Sequence, residues 1–371
     1  EKYLVRCAHI EDPRRRTYAA MVLAVDEGVG QILAKLRKHR IEDNTIVVFL
    51  SDNGGDCRPA PAGNAALNTP FNGGKGSLLE GGVHVPFFVR WPARLEAGKT
   101  FGHPVISLDL ATTFLAAARL EPAPEWKLDG VDLMPFLSGE NTQAPHKTLF
   151  WRYWFALAGP RLRAAVAAKP NIVLFFVDDQ SWAGTSVQMH PDDPETKSDL
   201  FETPALEAMA AAGMRFTDAY STAPICCPSR TALEFGQTTA RTRVTFNARN
   251  NSTGPGRSIA QSLAPAGYVC GRYGKTGVDH ISAEELGYAE HRVWRGNTAG
   301  DYDDVPVGDH ISANKTLLPP DNPKRTPEIT RCGLEFLERR AKDEKPFFLY
   351  LSYFAVHVAS QATSETIAKY E

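Results

Sequence analysis

Three observations in this 371-residue sequence predict an α/β fold with a mostly parallel central sheet flanked by helices on both faces. First, the segments TIVVFLSDNGG, KPNIVLFFVDDQ and KPFFLYLSYFAVH are runs of β-branched, aliphatic and aromatic residues that stop abruptly at polar ones. Second, helical periodicity recurs between these runs. Third, the composition, 43% hydrophobic with a net charge of -2, is that of a chain with a large core. Strands that are apolar on both faces must be covered on both, which is the usual condition of parallel sheets in α/β proteins.

The elements follow in chain order. From Thr17 to Arg40, apolar residues fall at Met21, Val25, Val29, Ile32, Leu33 and Leu36, close to a 3.6-residue period, which predicts a helix. TIVVFLS after it reads as a buried strand running into the tight Asp52-Asn53-Gly54-Gly55 loop. A helix is expected near Leu108 to Ala118. Pro170 then introduces the second strand, Ile172 to Val177, which delivers Asp178 and Asp179. Further helices are expected at Thr203 to Ala212, Ser229 to Phe235, Ser258 to Ala264 and Pro327 to Lys342. The third strand, from Phe347, brings His357 near its end. In such sheets functional residues gather at the carboxyl ends of the strands, and Asp52, Asn53, Asp178, Asp179 and His357 all stand there.

Charge and cysteine usage narrow the function classes. Lys and Arg total 41 against 43 Asp and Glu, so nothing in the balance points to nucleic acid or an anionic membrane surface, and a small-molecule partner is expected. No apolar run is long enough to span a bilayer, and the N-terminal EKYLVRCAHIEDPRRR contains no signal-type apolar core. Six cysteines show neither a C-x-x-C pair nor regular spacing, which argues against a zinc site and a disulfide scaffold. The Ala/Leu-rich WFALAGPRLRAAVAAKPN at 154–171 has the composition of a signal tail, but at an internal position it reads as a linker or helix.

Four oxygen-bearing side chains, Asp178, Asp179, Asp52 and Asn53, emerge from two strand ends that a parallel sheet can set side by side. That set suits a hard divalent cation such as Ca²⁺ or Mg²⁺. Either pair alone also reads as turn chemistry; together, each behind a strongly apolar strand, they point to the cation. NGGKGSLLEGG follows the first pair, with glycines that permit close backbone approach and Lys75 as a point charge for an anion. It lacks the G-x-x-x-x-G-K-[ST] order of a P-loop, and its plain reading is a surface loop. In STAPICCPSRTALEFGQ, Cys226 falls at or just before a helix N-terminus, where the dipole favours a thiolate or a bound anion, although a buried inert cysteine is the commoner fate.

These blocks together resemble the sulfatases. Cys226-Cys227-Pro228-Ser229-Arg230 matches the C-x-P-S-R signature, and SDNGG, NGGKGSLLEGGVHVPFFVRWP, PNIVLFFVDDQ and FFLYLSYFAVH look like the family's other blocks, covering most of the chain outside about 155–169. The resemblance implies an alkaline phosphatase-like α/β fold and hydrolysis of a small-molecule or glycan sulfate ester, aryl or carbohydrate. It implies that a formylglycine maturation enzyme oxidises Cys226 to formylglycine, whose gem-diol is the nucleophile and leads to an enzyme-bound sulfate ester. A cation, Ca²⁺ with Mg²⁺ as the variant, would be held by Asp178, Asp179, Asp52, Asn53 and modified Cys226. Lys75, Lys275 and His357 match positions that contact the sulfate and protonate the leaving group, and Arg230 holds the formylglycine and the carboxylates. By the same resemblance the protein is expected in the periplasm or secreted.

The sequence departs from the family pattern in four places. SDNGG precedes PNIVLFFVDDQ, the reverse of the family order, so a circular permutation is expected: 1–154 as the second half of the family order, 155–169 as linker, 170–371 as the first half, in one domain with residues 1 and 371 close together. The small antiparallel C-terminal subdomain expected after TLFWRYW is mostly lacking. The family's G-K-x-H appears as GKTGVDH, so Gly277 stands where a histidine is expected and only His280 could replace it. ALEFGQ replaces the usual Leu-Thr-Gly after the signature, which bears on conversion of Cys226. Two other readings stay open: a phosphatase or phosphodiesterase on the same scaffold, and a catalytically impaired pseudo-sulfatase.

Overall fold

The computed structural model describes residues 10–59, 63–149, 151, 169–245, 256–278, 281–294 and 323–357. Its strands in chain order are β1 (Thr45–Ser51), β2 (Phe87–Arg90), β3 (Lys99–Phe101), β4 (Val105–Ile106), β5 (Asn171–Val177), β6 (Met214–Phe216), β7 (Ala219–Tyr220), β8 (Val269–Lys275), β9 (Glu290–Trp294) and β10 (Phe347–Ser352). Eight of them form one sheet in the order β3-β6-β2-β1-β5-β10-β8-β9, and β4 pairs with β7 separately. From β1 to β9 every neighbouring pair is parallel. Antiparallel pairing enters only where β2 meets β1 and β6.

Alternation along the central strands divides the core in two. Val47 and Phe49, Val173, Phe175 and Val177, and Phe347, Leu349 and Leu351 face one side. Ile46, Val48 and Leu50, Ile172, Leu174 and Phe176, and Phe348 and Tyr350 face the other. Helices Pro13–Lys38, Pro204–Ala211 and Thr326–Arg340 supply apolar residues to the first cluster, and helices Asp109–Ala117, Cys226–Phe235 and Ile259–Leu263 to the second. Burial of each large apolar side chain contributes about 1.5–3 kcal/mol, which is why strands without a polar face are stable only inside such a sandwich.

The first long helix begins at Pro13, a turn earlier than its apolar period suggests. Asp12 caps it by accepting from the Arg14 and Arg15 amides at 2.8 and 3.4 Å, with proline in the first turn where its missing N–H costs nothing. Buried Asp26 on this helix in turn accepts from the amides of Ala205 and Leu206 at 2.9 and 2.8 Å, capping the neighbouring helix. The other expected helices are present with ends within a few residues of expectation, including a capping box between Ser258 and Gln261 at Ile259–Leu263.

The strands that the sequence reading missed are β8, β9 and the antiparallel side of the sheet. Val-Cys-Gly-Arg-Tyr-Gly-Lys in β8 holds two glycines and two cations, so no apolar run betrays it, yet it is hydrogen-bonded between β10 and β9. The expected closeness of residues 1 and 371, the linker up to residue 168, and His280 lie outside the described residues. Among the described residues no helix is long and apolar enough to cross a membrane.

Candidate active site

Register places the site. Ser51 of β1 pairs with Val177 of β5, and Ser352 of β10 pairs with both Phe176 and Gly274 of β8, so four adjacent parallel strands finish level with one another. Their continuations carry Asp52 and Asn53, Asp178 and Asp179, His357, and Lys275. The chain leaves β5 sharply, with Asp179 in the left-handed region at φ 62, a conformation that Asp tolerates better than most residues. Its amide donates to Asp52 Oδ1 at 3.2 Å, and the Asn53 amide group donates to Asp179 Oδ1 at 2.8 Å.

The glycine-rich loop is packed rather than loose. The Gly54 amide donates to the Gly82 carbonyl at 3.0 Å, and a Cβ at Gly54 would meet the Gly81 carbonyl oxygen at 1.9 Å, so this approach requires that residue 54 have no side chain. The amides of Lys75 and Gly76 donate to the carbonyls of Gly55 and Pro224 at 3.1 and 2.8 Å. Lys75 Nζ thereby reaches both oxygens of Asp179, at 2.6 and 2.7 Å. Lys275 Nζ donates to Asp178 Oδ2.

Cys226 opens the helix Cys226–Phe235, which Gly236 ends in the left-handed conformation. Its sulfur, a carboxylate oxygen of Asp178 and a ring nitrogen of His357 lie within 4.8 Å of one another, and oxygens of Asp52, Asp178 and Asp179 form a second group of the same tightness. Arg230, one turn along, is fully buried and not on a helix surface as its sequence position alone suggests. Its Nε donates to Asp52 Oδ2 at 2.7 Å, its Nη1 to Ser352 Oγ at 2.6 Å, and its Nη2 lies 3.9 Å from Asp178 Oδ2. His357 Nε2 lies 3.7 Å from Asp179 Oδ2. Every residue expected to act therefore converges on one buried centre.

Electrostatics at the centre are uneven. Burial, then the neighbouring Asp178, pushes the Asp52 carboxyl up to about 7, against the pull of Arg230 and Lys275. Burial also acts to raise Asp178, but Lys275 foremost, with His357, Arg230 and Lys75, holds it well below the usual carboxylate range. Burial, and after it Lys75, pushes the His357 imidazole well below its ordinary value. The Cys226 thiol is raised by burial, with Lys275 and Lys75 opposing. Removing a sulfur from water disfavours its charged form, so burial works against the thiolate that a helix N-terminus would favour.

The donor set fits a divalent cation. Asn53 Oδ1 and Asp178 Oδ1 are buried and accept no hydrogen bond from the described residues, and an orphaned buried acceptor beside three carboxylates is what a cation would satisfy. Oxygen donors from carboxylates and a side-chain amide suit Ca²⁺ or Mg²⁺ better than a thiophilic metal.

Three contributors were not visible as site residues in the sequence. Ser352, the last residue of β10, accepts from Arg230 and donates to the Lys275 carbonyl at 2.7 Å. Asn64 donates to the Val356 carbonyl at 2.8 Å and so steadies the turn before His357. Lys324 is buried, its ammonium pushed down to about 7 by burial with Asp178 pulling it back. Serine at a strand end, asparagine in a loop and lysine before a helix are common features, and only the tertiary contacts single these out.

The fold and this centre define an α/β protein with a buried cluster of carboxylates and basic side chains at the carboxyl edge of a parallel sheet. The chain belongs to the sulfatase family, whose model, described as Sulfatase, matches residues 3–120 and 170–371. A second model, described as N-sulphoglucosamine sulphohydrolase, C-terminal, matches residues 74–214. Similar proteins include the uncharacterized sulfatase YdeN of Escherichia coli K12, 37% identical over 142 residues, which are 37% of this chain and 24% of that protein. Mouse steryl-sulfatase is 36% identical over 155 residues, covering 39% of this chain and 25% of the relative. Dog N-acetylgalactosamine-6-sulfatase is 39% identical over 133 residues, covering 36% and 25%. The chain thus spans about a quarter of the length of these relatives. Among solved structures, that of Ps i-CgsB in complex with k-i-k-neocarrahexaose aligns with a TM-score of 0.41 and 23% identity over 54% of this chain and 48% of that one.

Proposed function

We propose that the protein is a sulfuric ester hydrolase that cleaves an aryl or carbohydrate sulfate with formylglycine, formed from Cys226, as nucleophile. The observation that carries this reading is the approach of Cys226, Asp178 and His357 to within 4.8 Å of one another, beside the carboxylate trio and at the first turn of the C-x-P-S-R helix. Sulfatase-named relatives support the reaction class.

Asp52, Asn53, Asp178 and Asp179 are the residues that would hold Ca²⁺ or Mg²⁺, with the modified Cys226 completing the set. A divalent cation supplies charge neutralisation for a sulfate oxygen and a lower pKa for the nucleophile's hydroxyl. Arg230 orients the site, gripping Asp52 directly while facing Asp178. The Lys75 and Lys275 ammonium groups are the donors for sulfate oxygens; Lys275 is buried and Lys75 nearly so, where such hydrogen bonds count for more than in water. His357 is read as the group that passes a proton to the leaving oxygen as the S–O bond breaks, which requires a bound sulfate's negative charge to offset the burial and the Lys75 charge that hold its imidazole low. The expected maturation enzyme would act on the chain before it closes around Cys226, which is buried in the folded protein. A periplasmic or secreted location and a circularly permuted single domain complete the reading; the permuted order rests on the order of the sequence blocks.

Mass spectrometry of the Cys226 peptide, from protein co-expressed with a competent maturation system, tests the reading together with sulfate release from an aryl sulfate. Replacement of the thiol by an aldehyde and turnover abolished by Cys226→Ala are expected. An unmodified thiol would sink the mechanism, and faster cleavage of an aryl phosphate than of the sulfate would favour a phosphatase.

One observation favours a second reading, an impaired pseudo-sulfatase. Gly277 stands where the family pattern has histidine, at φ +63, and a Cβ there would lie 2.2 Å from Arg230 Cδ. A histidine cannot be accommodated without displacing Arg230. Converted Cys226 with sulfate binding but no turnover is the outcome expected of that reading.

A further inference from the structure

Beneath the site, the helix Cys226–Phe235 and β8 are tied together by a buried ion pair that the proposed chemistry does not use. Arg272 Nη1 donates to Glu234 Oε2 at 2.9 Å, and the Tyr288 hydroxyl reaches the two oxygens of the same carboxylate at 3.0 and 3.1 Å. The guanidinium lies over the rings of Tyr350 and Tyr288, 4.7 and 5.4 Å from their centroids. All four side chains are buried. Such a pair is a poor source of stability, because desolvating two charges costs several kcal/mol each and apolar residues of similar volume often do as well. Its contribution is better sought in geometry.

Arg272 Nη2 also donates to the main-chain carbonyls of Lys275, at 3.5 Å, and Thr276. The Lys275 carbonyl accepts Ser352 Oγ, which accepts from Arg230, which holds Asp52. One unbroken series of polar contacts thus runs from Glu234 to the carboxylate cluster through the turn that presents Lys275. The same turn draws Gly277 so close to Arg230 that a Cβ does not fit.

We propose that Glu234 and Arg272 are a positioning pair: by clamping the carbonyls of Lys275 and Thr276 they aim the Lys275 ammonium at Asp178 and at a bound sulfate. The sulfate half of this statement rests on the reading of Lys275 as an anion donor under Proposed function. Arginine is needed because its planar fork bonds the carboxylate and the carbonyls at once, which a lysine ammonium on the same strand cannot do.

The test uses the full chain in calcium, comparing wild type with the double variant R272M/E234L and the single variant R272K. It reads thermal unfolding, amide exchange across residues 269–278, and affinity for inorganic sulfate. The double variant removes the pair but also takes partners from the Tyr288 hydroxyl and the two carbonyls, so a modest fall in melting temperature is expected, while exchange at residues 275–278 quickens and sulfate binding weakens, each by about tenfold or more, with β5 and β10 unchanged. R272K, which keeps a charge opposite Glu234, should show the same loosening and decides the matter if the double variant does not fold. Wild-type exchange in the turn of both variants, or of R272K alone, would overturn the proposal. A wild-type protein that binds no sulfate would instead sink the sulfatase reading, leaving the exchange measurement to decide the pair.

Discussion

Gly277→Ala is the sharpest perturbation the site offers. At φ +63 an alanine pays roughly 1–2 kcal/mol for the left-handed conformation alone. The added Cβ would stand 2.2 Å from Arg230 Cδ, 3.0 Å from its Cβ and 3.1 Å from its Cγ. Carbon atoms pack at about 3.5–4.0 Å, so the Arg230 side chain would have to retreat by more than an ångström. Its bonds to Asp52 at 2.7 Å and Ser352 at 2.6 Å do not survive such a shift, and breaking a buried charge pair costs about 3–5 kcal/mol. The expected total is about 4–7 kcal/mol, a large share of the 5–15 kcal/mol that typically separates folded from unfolded protein. Urea unfolding followed by tryptophan fluorescence, in the absence of added cation, measures it as a lowered midpoint at unchanged slope. Gly277→His should suffer equally, since the clash begins at Cβ, so restoring the family's histidine is expected to harm the protein and not to rescue it. A Gly277→Ala protein within about 0.5 kcal/mol of wild type would refute the close approach of this turn to Arg230.

Other expectations follow from the same geometry. Asp52→Asn should weaken calcium binding by more than about 100-fold by calorimetry, and the stabilisation of about 2.7 kcal/mol that wild type gains at 100 Kd of calcium should vanish at that concentration. Asp132, outside the site, has its carboxyl pushed up to about 6 by burial, against its bond from the Met134 amide. Because the folded value exceeds the unfolded one near 3.8, the contribution of its proton is fully present below about pH 4 and lost as pH rises through 6. Asp132→Asn, which keeps the acceptor, should therefore stabilise the protein by about 1–3 kcal/mol at pH 8 relative to its effect at pH 4, measured by urea unfolding at both values. Native-state alkylation should modify exposed Cys57 and spare Cys226, Cys227, Cys270 and Cys332, all buried; peptide mapping that finds Cys226 labelled as fast as Cys57 would show the site to be open.

The sequence by itself determined the class of fold, because strands apolar on both faces, such as Ile172–Val177, have only one stable setting, between two layers of helices. It also determined most of the site's membership, since Asp52, Asn53, Asp178, Asp179 and His357 follow strands whose carboxyl ends must lie together once those strands are parallel neighbours. The helix start at Ser258 was read within a residue, whereas the long helix was read short because its apolar period was followed and its local Asp12-Pro13 start was not. What the tertiary structure alone decided was anything resting on contacts between distant residues. β8 was hidden because a strand holding Arg272 and Lys275 looks solvated until Glu234 and Asp178, from other elements, are seen to receive those charges. Ser352 is an ordinary strand residue until the level ends of β1, β5, β8 and β10 bring it within hydrogen-bonding distance of Arg230, which the C-x-P-S-R signature had already marked. The surroundings of Cys226 were likewise set by the tertiary structure: burial raises its thiol, while Lys275 and Lys75, brought from other elements, oppose that rise.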